Sequence, residues 1–294
     1  MKENAKPLRM LIASMVIFGT VGIVRRWIPL PSAAIAAARG IVGALILLLL
    51  CAVRRRRLSG EGIRRNLVLL LVSGAAMGAN WIALFEAYRF TTVAAATLCY
   101  YMAPIIVILL SPLVLREKLT ARQGACAAAA LLGMVLVSGV VGGGTAGSIR
   151  GALLGLLAAA LYAAVVLMNK RMRPMPGVDR AIVQLLTAGV VVLPYALFTG
   201  AGGGAPLRLR AVVPLAVICV VHTGLAYALY FGCVDRLRAH TLALLSYIDP
   251  VVAVLLSALL LHEPLTVLTV LGAVLILGAA ALGELPEKQS KNEA

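Results

Sequence analysis

Apolar runs recur along the whole chain and constrain its fold more than any other feature. Ten of them approach the roughly 20 residues that a helix needs to cross about 30 Å of hydrocarbon. They lie at residues 8–27, 33–53, 66–88, 92–115, 121–141, 150–170, 180–199, 210–232, 240–261 and 266–284, which we number spans 1 to 10. The runs lack the polar alternation of barrel strands, and backbone groups in lipid must be hydrogen-bonded internally. The sequence therefore predicts an all-α polytopic membrane protein with ten transmembrane helices.

The charged residues indicate how these spans are oriented. Only 13% of residues are charged, against about 25% in soluble domains, which excludes a soluble globule. The formal net charge of +16 does not point to a nucleic-acid partner, because the basic residues lie in short loops between apolar runs. One side of the predicted bundle carries 20 Lys and Arg residues and the other carries six. Positive charge marks the cytoplasmic side, so we expect a multi-pass cell-membrane protein with both termini in the cytoplasm.

The chain contains an internal repeat. A shift of 146 residues aligns YMAPIIVILLSPLVLREKLT (101–120) with YIDPVVAVLLSALLLHEPLT (247–266) without a gap, and ten of the 20 positions are identical. The expected units are residues 1–145, with spans 1 to 5, and residues 146–294, with spans 6 to 10 and a short cytoplasmic tail. An odd number of helices in each unit inverts the second copy relative to the first. Such inverted repeats are typical of secondary transporters.

These features resemble a known family. The ten spans, the duplication of five helices, Pro104 and Pro250 in spans 4 and 9, and the signatures REKLT and HEPLT are similar to the EamA-like family of the drug/metabolite transporter superfamily. The resemblance covers about residues 8–284. It implies a ten-helix inner-membrane carrier, typically an exporter of amino acids and other small metabolites. Span 9 departs from the Glu-Pro often found there in this family, because Asp249 precedes Pro250.

Asp249 is the first candidate for substrate binding. It lies near the middle of span 9, where a charge costs roughly 2.5–3.5 kcal/mol on insertion scales, so an ionisable residue there is a functional candidate by default. One interpretation is a site for a substrate amine or a proton. The other is an internal hydrogen-bond partner that fixes a kink at Pro250.

Four aromatic residues occupy equivalent positions in the two repeats. Trp81 corresponds to Tyr227, and Tyr101 corresponds to Tyr247. Near the middle of the membrane these rings are candidates for a cage around a cation, with helix packing as the alternative.

Three further positions are candidates on chemical grounds. Asn80 and His222, on spans 3 and 8, are candidates for hydrogen bonding to a polar ligand or to a neighbouring helix. We expect Arg39 and Glu86 to form an ion pair near the non-cytoplasmic side, either structural or as an outer gate that recognises carboxylates.

Glu117 and Glu263 lie at the ends of the helices of spans 4 and 9, just after the apolar runs, and Leu-Thr follows each of them after one further residue. The threonine is expected to cap the next helix, because its hydroxyl accepts an orphan backbone N–H at a helix start.

Missing motifs narrow the function. The Gly-rich stretch at 142–148 lacks the lysine of a phosphate loop, HEPLT is not a zinc motif, and no nucleophile elbow occurs. We expect no metal, no cofactor and no enzymatic activity. The prediction is a secondary-active or facilitative carrier that exports amino acids or amine and quaternary ammonium compounds by alternating access. The alternatives are an intramembrane enzyme and a non-transporting helical scaffold or channel. The expected partners are a small-molecule substrate and membrane lipid. A homodimer is a further alternative, because small-residue faces on the outer helices can pack against a second copy or against lipid.

Overall fold

The computed structural model describes residues 5–116, 119–138, 140–141, 146–200, 209–233, 236–237 and 239–284. All regular structure within these ranges is helical, which confirms the expected fold class. Spans 1 to 5 are α1 (Ala5–Gly19) with α2 (Val21–Arg26), α3 (Ser32–Val53), α4 (Gly60–Phe90), α5 (Val93–Tyr100) with α6 (Ala103–Leu115), and α7 (Ala121–Val137). Spans 6 to 10 are α8 (Ala146–Arg171), α9 (Gly177–Gly200), α10 (Leu209–Val217) with a π-helix (Ile218–Leu225) and α11 (Ala226–Cys233), α12 (Ala239–Ser246) with α13 (Ile248–Leu260), and α14 (Val267–Glu284).

Most of these helices are long and apolar enough to cross a membrane. Within the described ranges, seven helical stretches are long and apolar enough to cross, and Ala121–Val137, Ile248–Leu260 and Val267–Gly283 are shorter apolar helices. Large apolar side chains point outwards, with Leu113, Phe198 and Val267 exposed to 79%, 89% and 74%. An apolar exterior of this kind suits a protein whose surrounding solvent is lipid.

Among the described residues, three buried clusters form the core, and the two largest each draw on both halves of the chain. The first combines residues of spans 1 to 4 with residues of spans 6, 7 and 8, including Phe85 and Leu185. The second combines spans 4 and 5 with spans 6 and 10, including Ile105 and Ile276. The two halves are therefore packed into one helical bundle.

Glycine pairs allow the closest helix crossings. A Cβ on Gly40 of span 2 would lie 2.5 Å from the backbone nitrogen of Gly189 in span 7. A Cβ on Gly133 of span 5 would lie 2.8 Å from the carbonyl oxygen of Gly272 in span 10. Small residues at membrane helix contacts let the backbones approach, which is the main source of attraction where lipid is as apolar as the helices.

The expected threonine caps are present. Thr120 accepts the backbone N–H of Gln123 at 3.3 Å at the start of span 5, and Thr266 accepts that of Thr269 at 3.1 Å at the start of span 10. Glu117 lies outside the described residues. Glu263 makes further contacts across the bundle, given below.

The Gly40–Gly189 crossing gives a direct test of this packing. Gly40→Ala is expected to destabilise the protein by about 1–3 kcal/mol, because the added methyl overpacks a backbone contact. The measurement is thermal unfolding of the purified protein in detergent. Gly278→Ala is the matched control in span 10, where nothing lies within 4 Å of the added Cβ. Equal melting temperatures for the two variants would contradict the close crossing.

Candidate functional site

Four spans are interrupted in the interior of the bundle, and their interruptions mark the candidate site. Span 1 breaks at Thr20, span 4 at 101–102, span 9 at Tyr247, and span 8 contains the π-helix. The breaks in spans 4 and 9 each come eight residues into the span, or roughly 12 Å at 1.5 Å per residue. Discontinuous helices at this depth are typical of transporter binding sites, and π-helical segments occur often at functional sites.

Proline accounts for the breaks in spans 4 and 9. Pro104 and Pro250 lack the N–H that would bond the carbonyl four residues earlier, at Tyr100 and Ser246. The hydroxyl of Tyr101 lies 3.3 Å from the Ser246 carbonyl oxygen, so a side chain of the first half approaches the group that Pro250 leaves without its helical partner. A backbone carbonyl of the second half and a side chain of the first half therefore meet at the break in span 9.

Tyr101 also holds Asp249. Its hydroxyl donates to the Oδ2 atom of Asp249 at 2.8 Å. The rings of Tyr101 and Tyr247 lie 6.4 Å apart between centroids, so the repeat-related tyrosines face each other next to the carboxylate. Asp249 is partly buried and forms no ion pair with any described residue.

A second cluster surrounds Arg39. The guanidinium carbon lies 4.4 Å from the centroid of the Trp81 ring and 6.0 Å from that of Phe85. Its Nε donates to the hydroxyl of Thr223 at 2.9 Å. Arg39 and Trp81 are 6% and 5% exposed, so this cation is buried against an aromatic face.

The π-helix presents the polar residues of span 8. Thr223 donates to the carbonyl of Ile218, five residues earlier, at 3.1 Å while it accepts from Arg39. His222 lies 2.8 Å from the hydroxyl of Thr20 and 3.2 Å from the carbonyl of Val217. The wider turn thus directs two successive side chains at the break in span 1 and at Arg39.

The expected ion pair between Arg39 and Glu86 is wrong. Glu86 instead accepts from Ser32 at 2.6 Å and pairs with Arg89 at 2.9 Å. The reason lies in the geometry of span 3, where Trp81 and Phe85 are four residues apart and share a face. Glu86 is rotated about 100° from Phe85 and points away from Arg39.

The remaining candidates, Tyr227, Asn80 and His222, contact neighbouring helices. Tyr227 packs against Phe18 and Phe231, with ring centroids 5.6 Å and 6.0 Å away. Asn80 donates to the carbonyl of Ala158 in span 6 at 2.6 Å, and His222 contacts span 1 as described above. Asn80 and His222 therefore each contact a neighbouring helix, which was one of the two roles considered for them. Of the four candidate aromatics, Tyr101 and Tyr247 make ring contact with each other, and no closed ring of four is seen among the described residues.

Known proteins share this architecture. The family model described as "EamA-like transporter family" matches residues 6–139 and again residues 149–283. The chain belongs to the EamA-like transporter family. It is also 26% identical over 283 residues to the "Uncharacterized transporter YxxF" of Bacillus subtilis (strain 168), covering 96% of this chain and 90% of that protein. A solved crystal structure with 19% identity matches at a TM-score of 0.65 over 96% of this chain and 97% of the other, which shows the fold.

The two halves of the chain also meet at a carboxylate, a contact that the sequence did not reveal. Glu263, between spans 9 and 10, pairs with Arg26 of span 1 at 2.9 Å. Its second oxygen accepts the backbone N–H of Val93 at 2.8 Å, at the first turn of span 4. Arg26 also donates to the Thr91 carbonyl at 2.8 Å. We call this contact the Glu263 bridge.

The opposite end of the bundle has a contact that sequence reasoning also missed. Asp179, in the first turn of span 7, is fully buried and accepts from Arg56 at 2.9 Å and from the backbone N–H of Ser59 at 3.0 Å. An acidic residue in the first turn of a helix was a visible signal for a local interaction. Its partners, 120 or more residues away, were not.

The Glu263 bridge is expected to stabilise the observed arrangement. Glu263→Gln should lower the free energy of unfolding by about 1–2 kcal/mol, because it weakens two charge-assisted hydrogen bonds from a largely buried carboxylate. Chemical or thermal unfolding in detergent measures the change, and a double-mutant cycle with Arg26→Gln isolates the pair.

Glu61→Gln is the control for Glu263→Gln, since Glu61 is exposed and pairs with Arg65 within one helix. It is expected to change stability by less than about 0.5 kcal/mol. A Glu263 variant as stable as this control would refute the energetic role of the bridge.

Proposed function

We propose that this protein is a carrier that exports small amine-bearing metabolites, namely amino acids or amine and quaternary ammonium compounds, across the cytoplasmic membrane. Transport is secondary-active or facilitative and proceeds by alternating access. Membership of the EamA-like transporter family supports transport over catalysis. The choice of an amine-bearing substrate rests on the residues around Asp249.

The observation that carries this proposal is a partly accessible carboxylate at a helix break in the interior. The Tyr101 hydroxyl supplies one hydrogen bond to Asp249, which leaves acceptor capacity on both carboxylate oxygens. A substrate ammonium complements this charge, and the faces of Tyr101 and Tyr247 provide aromatic walls for it. Trp81, Tyr227, Asn80 and His222 complete the proposed lining.

The two halves give the carrier its mechanism. Inverted repeats can exchange conformations, so that an inward-open and an outward-open state are built from equivalent contacts. Lys and Arg residues are concentrated at the end of the bundle opposite to the Glu263 bridge, which supports placing the bridge at the non-cytoplasmic end. The bridge joins residues of spans 1 and 4 to Glu263 of the second half, and outward opening requires it to separate.

Counterflow into proteoliposomes tests the proposal. Purified protein is reconstituted with an internal pool of each unlabelled compound, and uptake of the labelled compound is followed for a panel of amino acids, amines and quaternary ammonium compounds. A carrier gives saturable, selective exchange. A channel gives conductance without counterflow, and an enzyme converts its substrate without exchange.

Variants at Asp249 locate the site. Asp249→Asn is expected to abolish exchange, because it removes the charge that holds the ammonium group. Asp249→Glu, which restores the acid more usual before this proline in the family, should retain part of the activity. Tyr101→Phe keeps the ring and loses one hydrogen bond, so KM should rise about 10-fold.

The control is Glu61→Gln, which removes an exposed carboxylate outside the proposed site. Its exchange rate should equal that of the wild type. Unchanged exchange by Asp249→Asn would leave the carrier in place and refute the site. Absence of counterflow for every compound, in a preparation that is folded by its melting curve, would refute the proposed function.

A further inference from the structure

Arg39 is a buried cation that lies against aromatic rings but pairs with no carboxylate among the described residues. It forms no ion pair with a described residue, and its Nε makes the one hydrogen bond seen for its guanidinium, to Thr223. The two terminal nitrogens donate to no described residue, and neither is fully enclosed. A cation inside the membrane region without a counter-charge is costly to keep, so its presence requires a reason.

Arg25 shows what a structural buried arginine looks like in the same protein. It is 5% exposed, close to the 6% of Arg39. Its terminal nitrogens donate to the Ile28 carbonyl at 2.9 Å and to the Ser32 hydroxyl at 3.2 Å, and so fasten the turn after span 1. Arg39 has comparable burial, but its planar pair of terminal donors is left available.

The surroundings of Arg39 hold the guanidinium in one orientation. Trp81 lies against its face at 4.4 Å, and Thr223 fixes Nε from the π-helix. Gly43, one turn after Arg39, gives Thr223 room, since a Cβ there would lie 2.4 Å from the threonine methyl carbon. A guanidinium held by its face and its Nε presents its terminal nitrogens as a fork, the geometry that matches a carboxylate.

A short series of contacts through span 1 links Arg39 to Asp249. A Cβ on Gly19 would lie 2.6 Å from the Asp249 carbonyl oxygen, and the next residue, Thr20, lies 2.8 Å from His222, beside the Thr223 that binds Arg39. Arg39 and Asp249 form no ion pair with each other. The two groups therefore offer opposite charges that are separated within the interior. An α-amino acid carries an ammonium and a carboxylate on one carbon and complements both groups at once, whereas an amine or a quaternary ammonium compound satisfies Asp249 alone.

We propose that the Arg39 fork binds the carboxylate of the transported molecule, so that Arg39 determines the preference for α-amino acids over amines that lack the carboxylate. This inference rests on the proposed function, and it selects one of the substrate classes that the Asp249 site allows. Trp81 and Thr223 act as positioning residues for Arg39. The ammonium group of the same substrate lies at Asp249.

The test compares amino acids with the amines that lack only their carboxylate. Wild-type counterflow is measured for L-phenylalanine and phenethylamine, L-leucine and isoamylamine, and L-lysine and cadaverine, together with tetramethylammonium. Each amino acid is expected to be exchanged with a kcat/KM at least about 10-fold above that of its amine, because the charge-assisted bonds to Arg39 are lost with the carboxylate.

Variants separate recognition from stability. Arg39→Gln should lower kcat/KM for the amino acids by about 10- to 100-fold and leave that for the amines within about twofold, which removes the discrimination. Arg39→Lys keeps the charge without the fork and should be intermediate. Thr223→Val keeps the shape of the side chain, loses the hydroxyl that orients Arg39, and should raise KM for amino acids by about 10-fold. Arg65→Gln, which removes an exposed arginine paired with Glu61, is the control and should match the wild type.

Each outcome has one meaning. Equal exchange of amino acids and amines by the wild type, or exchange of tetramethylammonium alone, would overturn carboxylate recognition and leave the carrier standing. Unchanged discrimination in folded Arg39→Gln would overturn the role of Arg39. If Arg39→Gln fails to fold, the wild-type comparison and Thr223→Val decide the question. No exchange of any probe would refute the proposed function itself.

Discussion

The backbone hydrogen bond is the constraint on which the interior of this protein depends. In hydrocarbon, a carbonyl without a partner costs several kcal/mol, so a helix can break only where something else approaches the released group. The Tyr101 hydroxyl lies at the Ser246 carbonyl, Thr223 bonds the Ile218 carbonyl, and Thr20 bonds the Ile17 carbonyl at 2.8 Å. The same hydroxyls also contact Asp249, Arg39 and His222. The groups that make the broken helices tolerable are therefore the groups that organise the polar interior.

Close helix packing sets where those groups can meet. The backbones of spans 2 and 7 are in direct contact where Gly40 crosses Gly189, and Gly43 lets Thr223 of span 8 pack against span 2. The Arg39 guanidinium is then held between a tryptophan face and a threonine hydroxyl, and it forms no ion pair with a carboxylate of the described residues. Small residues thus have two effects in this bundle. They supply packing where the hydrophobic effect between helices is weak, and they fix a charge in a defined place.

The sequence predicted what depends on periodicity and repetition, and missed what depends on side-chain direction. Span positions follow from apolar length, and the fold class and family follow from the repeat, so all three could be predicted. Arg39 and Glu86 were correctly expected towards one end of adjacent spans, but pairing them required knowing that Glu86 turns away from the face of Trp81 and Phe85. The contact between Glu263 and Val93 joins residues 170 apart, and no local pattern encodes it. The π-helix of span 8 was also out of reach, because its apolar run looks like that of any other span.

Spans 4 and 9 of the repeat break at equivalent points in their backbones but differ in the charges they carry there. Tyr101 and Tyr247 are equivalent and face each other across the site, yet the equivalent of Asp249 in the first half is Ala103. Arg39 and Asp249 come from opposite halves of the chain. In the proposed carrier, the related halves exchange inward-open and outward-open states, and the two opposite charges hold a polar molecule in one orientation. This proposal assigns movement to the repeated helices and recognition to Arg39 and Asp249, the residues in which the two halves differ.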